Sequence, residues 1–319
     1  MAVVVDRTEL VGRRLKLRDL QLFEAVVRWG SIAKAANQLN VTQSAASKAI
    51  LQLEHALGAR LLDRNTRGAE PTQYGRALLR RGLAIFDELR QGIKEIEFLA
   101  DPTVGHVRVG CPESGAAGLL PAIIQELGRK SPGIVCEAVW MPAMMSVQVR
   151  ELRERRVDLI LARVNESEIE DDLYADILFA DRILIVAGHR SKWLRRRRIE
   201  LSELINEPWI LTPPDTVSSL VVAEVFRSKG LEMPRASVVS TSIHIVNRLL
   251  PRGRYLTYIP ESVLRFGSMS TKIRALPVDL PTRARPTAIV TLRNRTLNPA
   301  ANIFIEAAHF VSKSMAVAK

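Results

Sequence analysis

The stretch from Ser31 to Ile50 constrains this chain more than any other, because it reads as two short helices joined by a tight turn. Gly30 ends whatever precedes it, since glycine takes positive φ at no steric cost, and Ser31 stands where a helix cap belongs. Ile32, Ala35, Ala36 and Leu39 recur at helical spacing and give the first helix one buried face. Asn40 and Val41 interrupt the pattern. Thr42 caps the second helix, with Val41 and Ala46 at the spacing of a hydrophobic staple. That second helix is expected to bury Ala45, Ala46, Ala49, Ile50, Leu53 and Leu57, its early alanines admitting a close neighbour.

The opposite face carries Gln43, Ser44, Ser47 and Lys48 near the start of the second helix. These short or flexible donors and acceptors suit base edges and phosphates. A helix so decorated, crossed by a short helix at a tight turn, matches a DNA-reading helix-turn-helix, with Ser31 and Thr42 completing the expected contact set. An ordinary helical hairpin with a solvated polar face has the same local pattern, so the flanks decide.

Before this stretch, Leu17 to about Arg28 reads as a helix with a Leu20, Phe23, Val27 stripe, preceded by a leader over residues 1–16. After it, the run from Arg60 to Pro71 reads as two short extended pieces around Asn65 to Gly68, a wing with Arg64 and Arg67 at its tip. Together these define a winged unit over 17–74. Residues 1–81 hold 14 Lys/Arg against 7 Asp/Glu, a surplus that favours a polyanionic partner. Thr72 then caps a long helix over 72–100, a rod of about 40 Å. Leu79, Phe86 and Ile93 lie seven apart, with Leu89 and Ile96 between, which predicts a self-pairing dimer seam. Two copies also suit a reader of two half-sites.

The whole chain carries 46 Lys/Arg against 34 Asp/Glu, and 47% hydrophobic residues are enough for a sizeable core. Its 319 residues suit two or three domains. Cys111 and Cys136 make neither a disulfide framework nor a metal site; they read as buried small hydrophobes, with a redox pair on neighbouring strands as the alternative. There is no export signal and no run approaching 18 apolar residues, so a cytoplasmic protein without membrane partners is expected.

From Asp101 to Gly105 a linker leads into alternating strands and helices. Strands at 107–110, 134–140 and 157–162 alternate with helices at 118–130 and 146–155, an order that implies a parallel sheet covered by helices. Further strands follow at 182–187, 209–212, 237–239, 256–259 and 288–292, with helices at 201–205, 218–229, 243–250 and 298–312. The basic run Arg195 to Arg198 reads as a solvated loop. Ser114, after the first of these strands and at a helix start, reads as an anion cradle. Thr216 and Ser218 precede another helix and either face the same cleft or simply cap it. Arg163, just past a strand end, is placed to pair with a carboxylate or to be solvated.

Ala35-Ala36, Leu39, Val41-Thr42-Gln43, Ser47, Leu53-Glu54, Leu57-Gly58, Leu61 to Arg64, Pro71-Thr72 and Gly75 together resemble the N-terminal domain of LysR-type transcriptional regulators. The later stretches Gly110 to Pro121, Val157 to Ile160, Glu207 to Ile210 and Tyr258 to Pro260 are also similar to that family, so the likeness covers about 17–312. It implies a multidomain chain: an all-α winged helix-turn-helix, a dimerising linker helix, and an α/β effector domain like periplasmic binding proteins. The effector domain, about 104–315, would have one subdomain at about 104–178 plus 283–315 and another at about 179–282. Gln43, Ser44, Lys48 and Arg67 match positions where relatives touch DNA, although Ser44 replaces a frequent proline and Lys48 a frequent arginine. Lys48 lacks the planar fork of arginine, which argues against a bidentate guanine contact there. Ser114 matches an effector-binding position. Glu113 beside it departs from a carboxylate-binding site unless it points away, and leaves a polyhydroxylated or cationic effector open. The implied partners are promoter DNA, a small-molecule effector, further copies in a dimer or tetramer, and RNA polymerase.

Two other classes are weaker. Ser31-Ile-Ala-Lys34 fits the S-x-x-K of serine acylating enzymes but lies inside the helix-turn-helix, with no companion S-D-N or K-T-G. No phosphate loop, nucleophile elbow, zinc motif or cofactor signature is present, and the histidines at 55, 106, 189, 244 and 309 are scattered. The chain is therefore expected not to be an enzyme. A purely architectural DNA-binding protein has no need of the long two-lobed half.

Overall fold

The structure is a computed structural model that describes residues 15–65, 68–214, 216–267, 271–280 and 284–316. The chain divides into two compact units between Arg90 and Gln91.

In the first unit, α1 (Leu17–Trp29), α2 (Ile32–Gln38) and α3 (Gln43–Leu57) are followed by a hairpin of β1 (Leu62–Asn65) and β2 (Gly68–Pro71), then α4 (Gln73–Ala100). Leu20, Phe23, Val26, Ala35, Ala36, Ala46, Ile50 and Leu53 form its core, closed by Leu61, Leu62 and Ala69 of the wing. Two expectations shift by one residue. The α1 stripe ends on buried Val26, with Val27 only half-buried, and Ala45 is exposed although Ala46 is buried. One residue is about 100° of rotation, enough to carry Ala45 off the Ala46–Ile50–Leu53 stripe onto the polar face.

The predicted α4 seam separates into two parts. Leu79 and Phe86 are half-buried against the core of the winged unit. Leu89, Ile93 and Ile96 are 48, 56 and 69% exposed, with Ile85 and Leu99 also exposed.

The second unit holds the C-terminal end of α4 and two lobes. Lobe I begins with β3 (Val104–Cys111), α5 (Glu113–Ala117), α6 (Leu119–Lys130), β4 (Gly133–Trp140), α7 (Met145–Arg153), β5 (Leu159–Arg163) and β6 (Leu173–Asp181). Lobe II follows with β7 (Ile183–Gly188), β8 (Trp209–Leu211), α8 (Val217–Ser228), β9 (Ala236–Val239), α9 (Ile243–Leu249), β10 (Leu256–Pro260), α10 (Glu261–Phe266) and β11 (Ile273–Ala275). The chain then returns to lobe I through β12 (Arg285–Leu292) and α11 (Pro299–Ala316). The sheets run β4-β3-β5-β12-β6 and β9-β8-β10-β7-β11. Each has three parallel strands in the same order, then an antiparallel strand, β12 or β7. Both sheets are thus mixed rather than purely parallel.

Helices cover both faces. In lobe I, Ile123, Leu127, Ala301 and Phe304 pack on Val107, Val109 and Ile289, while Val149 and Leu152 pack on Ile160, Ala288 and Val290. In lobe II, Trp209 lies edge-on to Phe226, and its Nε1–H donates to the Leu204 carbonyl at 2.8 Å. The first crossover falls at Arg182, because β6 stays in the lobe I sheet as far as Asp181.

A buried charge cluster ties lobe I together. Asp158 receives the Arg108 backbone N–H at 2.9 Å, the Arg108 Nη2 at 2.9 Å and the Arg295 Nη2 at 2.8 Å. Lys94 of α4 lies 3.8 Å from the same carboxylate. Burial alone raises the Asp158 pKa, but the bonds from Arg108 and the charge of Arg295 prevail and hold it down to about 2.

Cys111 and Cys136 do lie on neighbouring strands, but Cys136 pairs in register with Val107 and Cys111 with Trp140. Four residues of offset is roughly 13 Å, beyond disulfide reach. Burial pushes their pKa values up to about 12 and about 11, so both thiols stay protonated. Among the described residues no helix is long and apolar enough to cross a membrane.

Candidate DNA-reading face and effector cleft

The start of α3 is held in place by its neighbours. Ser31 Oγ accepts from the Lys34 N–H at 3.4 Å and Thr42 Oγ1 from the Ala45 N–H at 3.2 Å, so both are helix caps. The same bond accounts for the spacing of Ser31 and Lys34. Asn40 turns the chain at φ 53°, a conformation asparagine tolerates, and the Val41 N–H closes on the Ala36 carbonyl at 3.0 Å. Gln43, Ser44 and Lys48 are exposed on one side of the first turns of α3, and Ser47 is half-buried. Ser44 Oγ lies 3.1 Å from Thr42 Oγ1, which leaves Gln43 and Lys48 the extended groups of this face.

The wing is fastened to the back of the same helix. Glu54 Oε1 accepts from the Leu61 and Leu62 N–H groups at 2.7 and 3.2 Å. Thr72 Oγ1 donates to the Arg60 carbonyl at 2.7 Å and accepts from the Gly75 N–H at 3.1 Å, capping α4 while holding the approach to the wing. A Cβ on Gly75 would overlap the Leu61 carbonyl oxygen, and one on Gly68 the Gly30 carbonyl oxygen. At the tip, Arg64 lies in β1 opposite Ala69, and Arg67 lies outside the described residues.

In the two-lobed unit, the C-terminal ends of β3 and β8 each feed a helix: Ser114 lies in the first turn of α5 and Thr216 caps α8. Ser114 is half-buried, and its hydroxyl has no partner among the described residues. Glu113 reaches across the lobes, its Oε1 accepting from the Ile243 N–H at the start of α9 at 3.3 Å. Thr216 is fully committed. It donates to the Pro213 carbonyl at 2.8 Å, accepts from the Ser219 N–H at 3.3 Å and lies 2.7 Å from Thr212 Oγ1. Thr212 in turn lies 2.7 Å from the Tyr258 hydroxyl. Ser218 is half-buried in the first turn of α8.

Arg163 does pair with a carboxylate, and it belongs to the chain. Its Nη2 donates to the Asp181 carbonyl oxygen at 3.2 Å and its Nε lies 3.8 Å from the Asp181 carboxylate. Ser262, from lobe II, donates to that carboxylate through its backbone N–H at 3.1 Å and its hydroxyl at 2.7 Å. Asp181, the last residue before the crossover, therefore joins the two lobes. Burial lowers the Arg163 pKa and raises that of Asp181. Sequence reasoning missed Asp181, Ser262, Thr212 and Tyr258, because the contacts of Asp181 with Ser262 and of Thr212 with Tyr258 form only through the sheet topology.

Comparison with known proteins agrees with this architecture. Residues 17–76 match the family model "Bacterial regulatory helix-turn-helix protein, lysR family", and residues 100–310 match "LysR substrate binding domain". The chain belongs to the LysR family of transcriptional regulators: a DNA-binding helix-turn-helix joined to an effector-binding domain. Among its relatives, the regulator GbpR of Azospirillum brasilense is 27% identical over 92% of this chain and 86% of its own length. Similar folds include a full-length OxyR point mutant from Pseudomonas aeruginosa, with a TM-score of 0.64 and 17% identity over 94% of this chain and 95% of that one. Another is full-length CbnR in complex with its target DNA, with a TM-score of 0.52 and 20% identity over 93% and 100%.

Proposed function

We propose that this regulator acts as a dimer in the cytoplasm, reading a promoter site of dyad symmetry with the start of α3 and responding to a small molecule held between its lobes. The observation that carries the reading is the capped first turn of α3, with Gln43, Ser44 and Lys48 exposed together on one face. Ser31, Thr42 and Ser47 support that face, and Arg64 and Arg67 are assigned as further DNA contacts from the sequence of the wing. The exposed Leu89, Ile93 and Ile96 supply the pairing seam, while Leu79 and Phe86 anchor α4 to its own winged unit. Dimers then pair as tetramers when two sites are bound, with RNA polymerase as the downstream partner. No chemical turnover is assigned to the chain.

The effector reading rests on Ser114, whose hydroxyl is open, with Ser218 in the first turn of the helix that follows β8 in the other lobe. Thr216 shapes the cleft from behind, since its donor and acceptors are occupied within the protein, and Arg163 is held by Asp181 through its Nη2, with its Nε buried and lacking a hydrogen-bond partner among the described residues. The Glu113 carboxylate sits on the first turn of α9, so the cleft suits a neutral polyhydroxylated or a cationic molecule better than a carboxylate.

In a gel-shift titration, Lys48→Ala lowers affinity and reduces the salt slope by about 0.9 if it meets one phosphate. Gln43→Ala instead relaxes base preference, at a cost of about 1–3 kcal/mol. Unchanged titrations for both would remove the α3 assignment. In a promoter-reporter assay, Ser114→Tyr abolishes the response while leaving DNA binding intact; a normal response would remove Ser114 from the pocket.

A further inference from the structure

The basic run at Arg195–Arg198 is the largest feature that the regulator reading leaves unused, and it is part of a wider surface. Residues 182–280, essentially lobe II, hold 16 Lys/Arg against 8 Asp/Glu, a surplus as large as that of residues 1–81. The intervening residues 82–181 run the other way, with 10 Lys/Arg against 18 Asp/Glu. Within lobe II the positive charge is segregated. Segments 182–199, 233–260 and 262–278 contain no Asp or Glu at all.

The fold brings one stretch of each of these segments to the same end of the lobe. β7 ends at Gly188, which pairs with Ile273 of β11. The next residue, His189, donates its N–H to the Lys272 carbonyl at 2.9 Å. Gly253, between Arg252 and Arg254, lies so close to the Arg190 backbone that a Cβ would sit 2.6 Å from its carbonyl carbon. The chain then runs from Arg190 directly into Lys192–Arg198. Three cations of that run are neutralised: Lys192 by Glu207, Arg196 by Glu203 and Arg198 by Glu200. Arg190, Arg195, Arg197, Arg252 and Lys272 are exposed and have no anionic partner among the described residues.

We infer that this end of lobe II is a second, sequence-independent DNA-binding surface, which takes the phosphate backbone of duplex outside the site read by α3. The inference rests on the regulator reading, because that reading brings duplex to the molecule. Like charges held together by a fold repel one another, and a polyanion relieves this most when its charges are dense. Duplex DNA offers one negative charge per ~1.7 Å of axis. The unpaired cations are mostly arginines, whose planar fork matches phosphate oxygens. Among the described residues, the large exposed apolar side chains of these segments are Val239 and Ile245, and none falls in 182–199 or in 250–278, the stretches that carry the unpaired cations. The surface therefore lacks what inserts into a lipid bilayer or forms the apolar centre of a protein interface.

The test uses the full-length protein and two DNAs, a minimal site of ~30 bp and a fragment of ~150 bp centred on it, long enough to bend back. The variant Arg190→Gln/Arg195→Gln/Arg197→Gln/Arg252→Gln changes only exposed side chains, and its thermal unfolding is checked against the wild type. The wild type should bind the longer fragment more tightly and with a steeper salt slope. The variant should bind the minimal site as the wild type does, but lose about tenfold or more on the long fragment, with the slope falling by up to ~3.6. Equal affinities and slopes for the two proteins on the long fragment overturn the inference, as does a variant whose only change is in sedimentation or in binding to anionic phosphatidylglycerol vesicles. Failure of the wild type on both fragments instead sinks the regulator reading, and the inference with it.

Discussion

The winged unit and the two-lobed unit hold their key groups in place over very different distances along the chain. In the winged unit, Glu54 reaches seven and eight residues ahead to the wing, and Thr72 caps a helix three residues on. In the two-lobed unit, Asp158 meets Arg108 from 50 residues away and Arg295 from 137, while Asp181 meets Ser262 from 81. A motif records local demands well, because the residue and the backbone it serves travel together. A site assembled by strand order leaves little trace in any one segment.

The contrast is tested most severely at Asp158. Removing it with Asp158→Ala leaves Arg295 buried without its carboxylate, at a cost of about 3–5 kcal/mol in urea unfolding. The pH dependence has a definite sign. With a pKa of about 2 in the folded protein against 3.8 ordinarily, Asp158 stabilises the fold fully above about pH 5 and loses this contribution as pH falls through 3.8 towards 2. That contribution is about 2 kcal/mol, and Asp158→Asn should flatten the acid limb of the stability curve. Asp181 works in the opposite direction. Burial raises its pKa, so its ionisation costs stability as pH rises through the carboxylate range. An acid limb identical in wild type and Asp158→Asn would deny Asp158 this role.

The local counterpart is Gly75. Its place in the family-like pattern has a steric cause: an added Cβ would run into the Leu61 carbonyl oxygen and stand 3.3 Å from Phe23 Cζ. Gly75→Ala must therefore push the wing from the helix or bend α4, at about 1–3 kcal/mol. The loss should fall on the melting of the winged unit and leave the effector lobes unchanged. A transition unaltered in the winged unit would show that the space opens freely.

These two cases explain what could be read in advance. The helix-turn-helix, the wing and the long helix were legible because periodicity, caps and glycines lie within a few residues of one another. Ala45 and Val27 were misplaced by one position because an alanine or valine beside a stripe fits either edge of it. β6 went unseen because Tyr174, Asp176 and Asp181 interrupt its apolar alternation, and it lies at a sheet edge where Tyr174 and Ile177 remain exposed. β11 has only three residues. The effector cleft was half legible: Ser114 follows from a strand feeding a helix, whereas the pairing of Arg163 with Asp181 needed the topology of β5, β6 and β12.

The smallest expected effect lies in the hydroxyl chain at the end of β8, and here the direction of each bond can be deduced. Thr216 gives its only hydroxyl proton to the Pro213 carbonyl, so it must accept from Thr212. Thr212 has then spent its proton and must accept from the Tyr258 hydroxyl. Tyr258→Phe removes the donor at the head of the chain and should cost about 0.5–1.5 kcal/mol. Thr212→Val removes both links at once, strips Thr216 of a donor and should cost more. Unlike Glu54 and its wing, Tyr258 and Thr212 are 46 residues apart and joined only by neighbouring strands β10 and β8. A double-mutant cycle should therefore show coupling between them, since each single change already breaks the same bond. Strict additivity would mean that the two hydroxyls do not act as one chain, and that the long-range order ascribed to this lobe does not reach the end of β8.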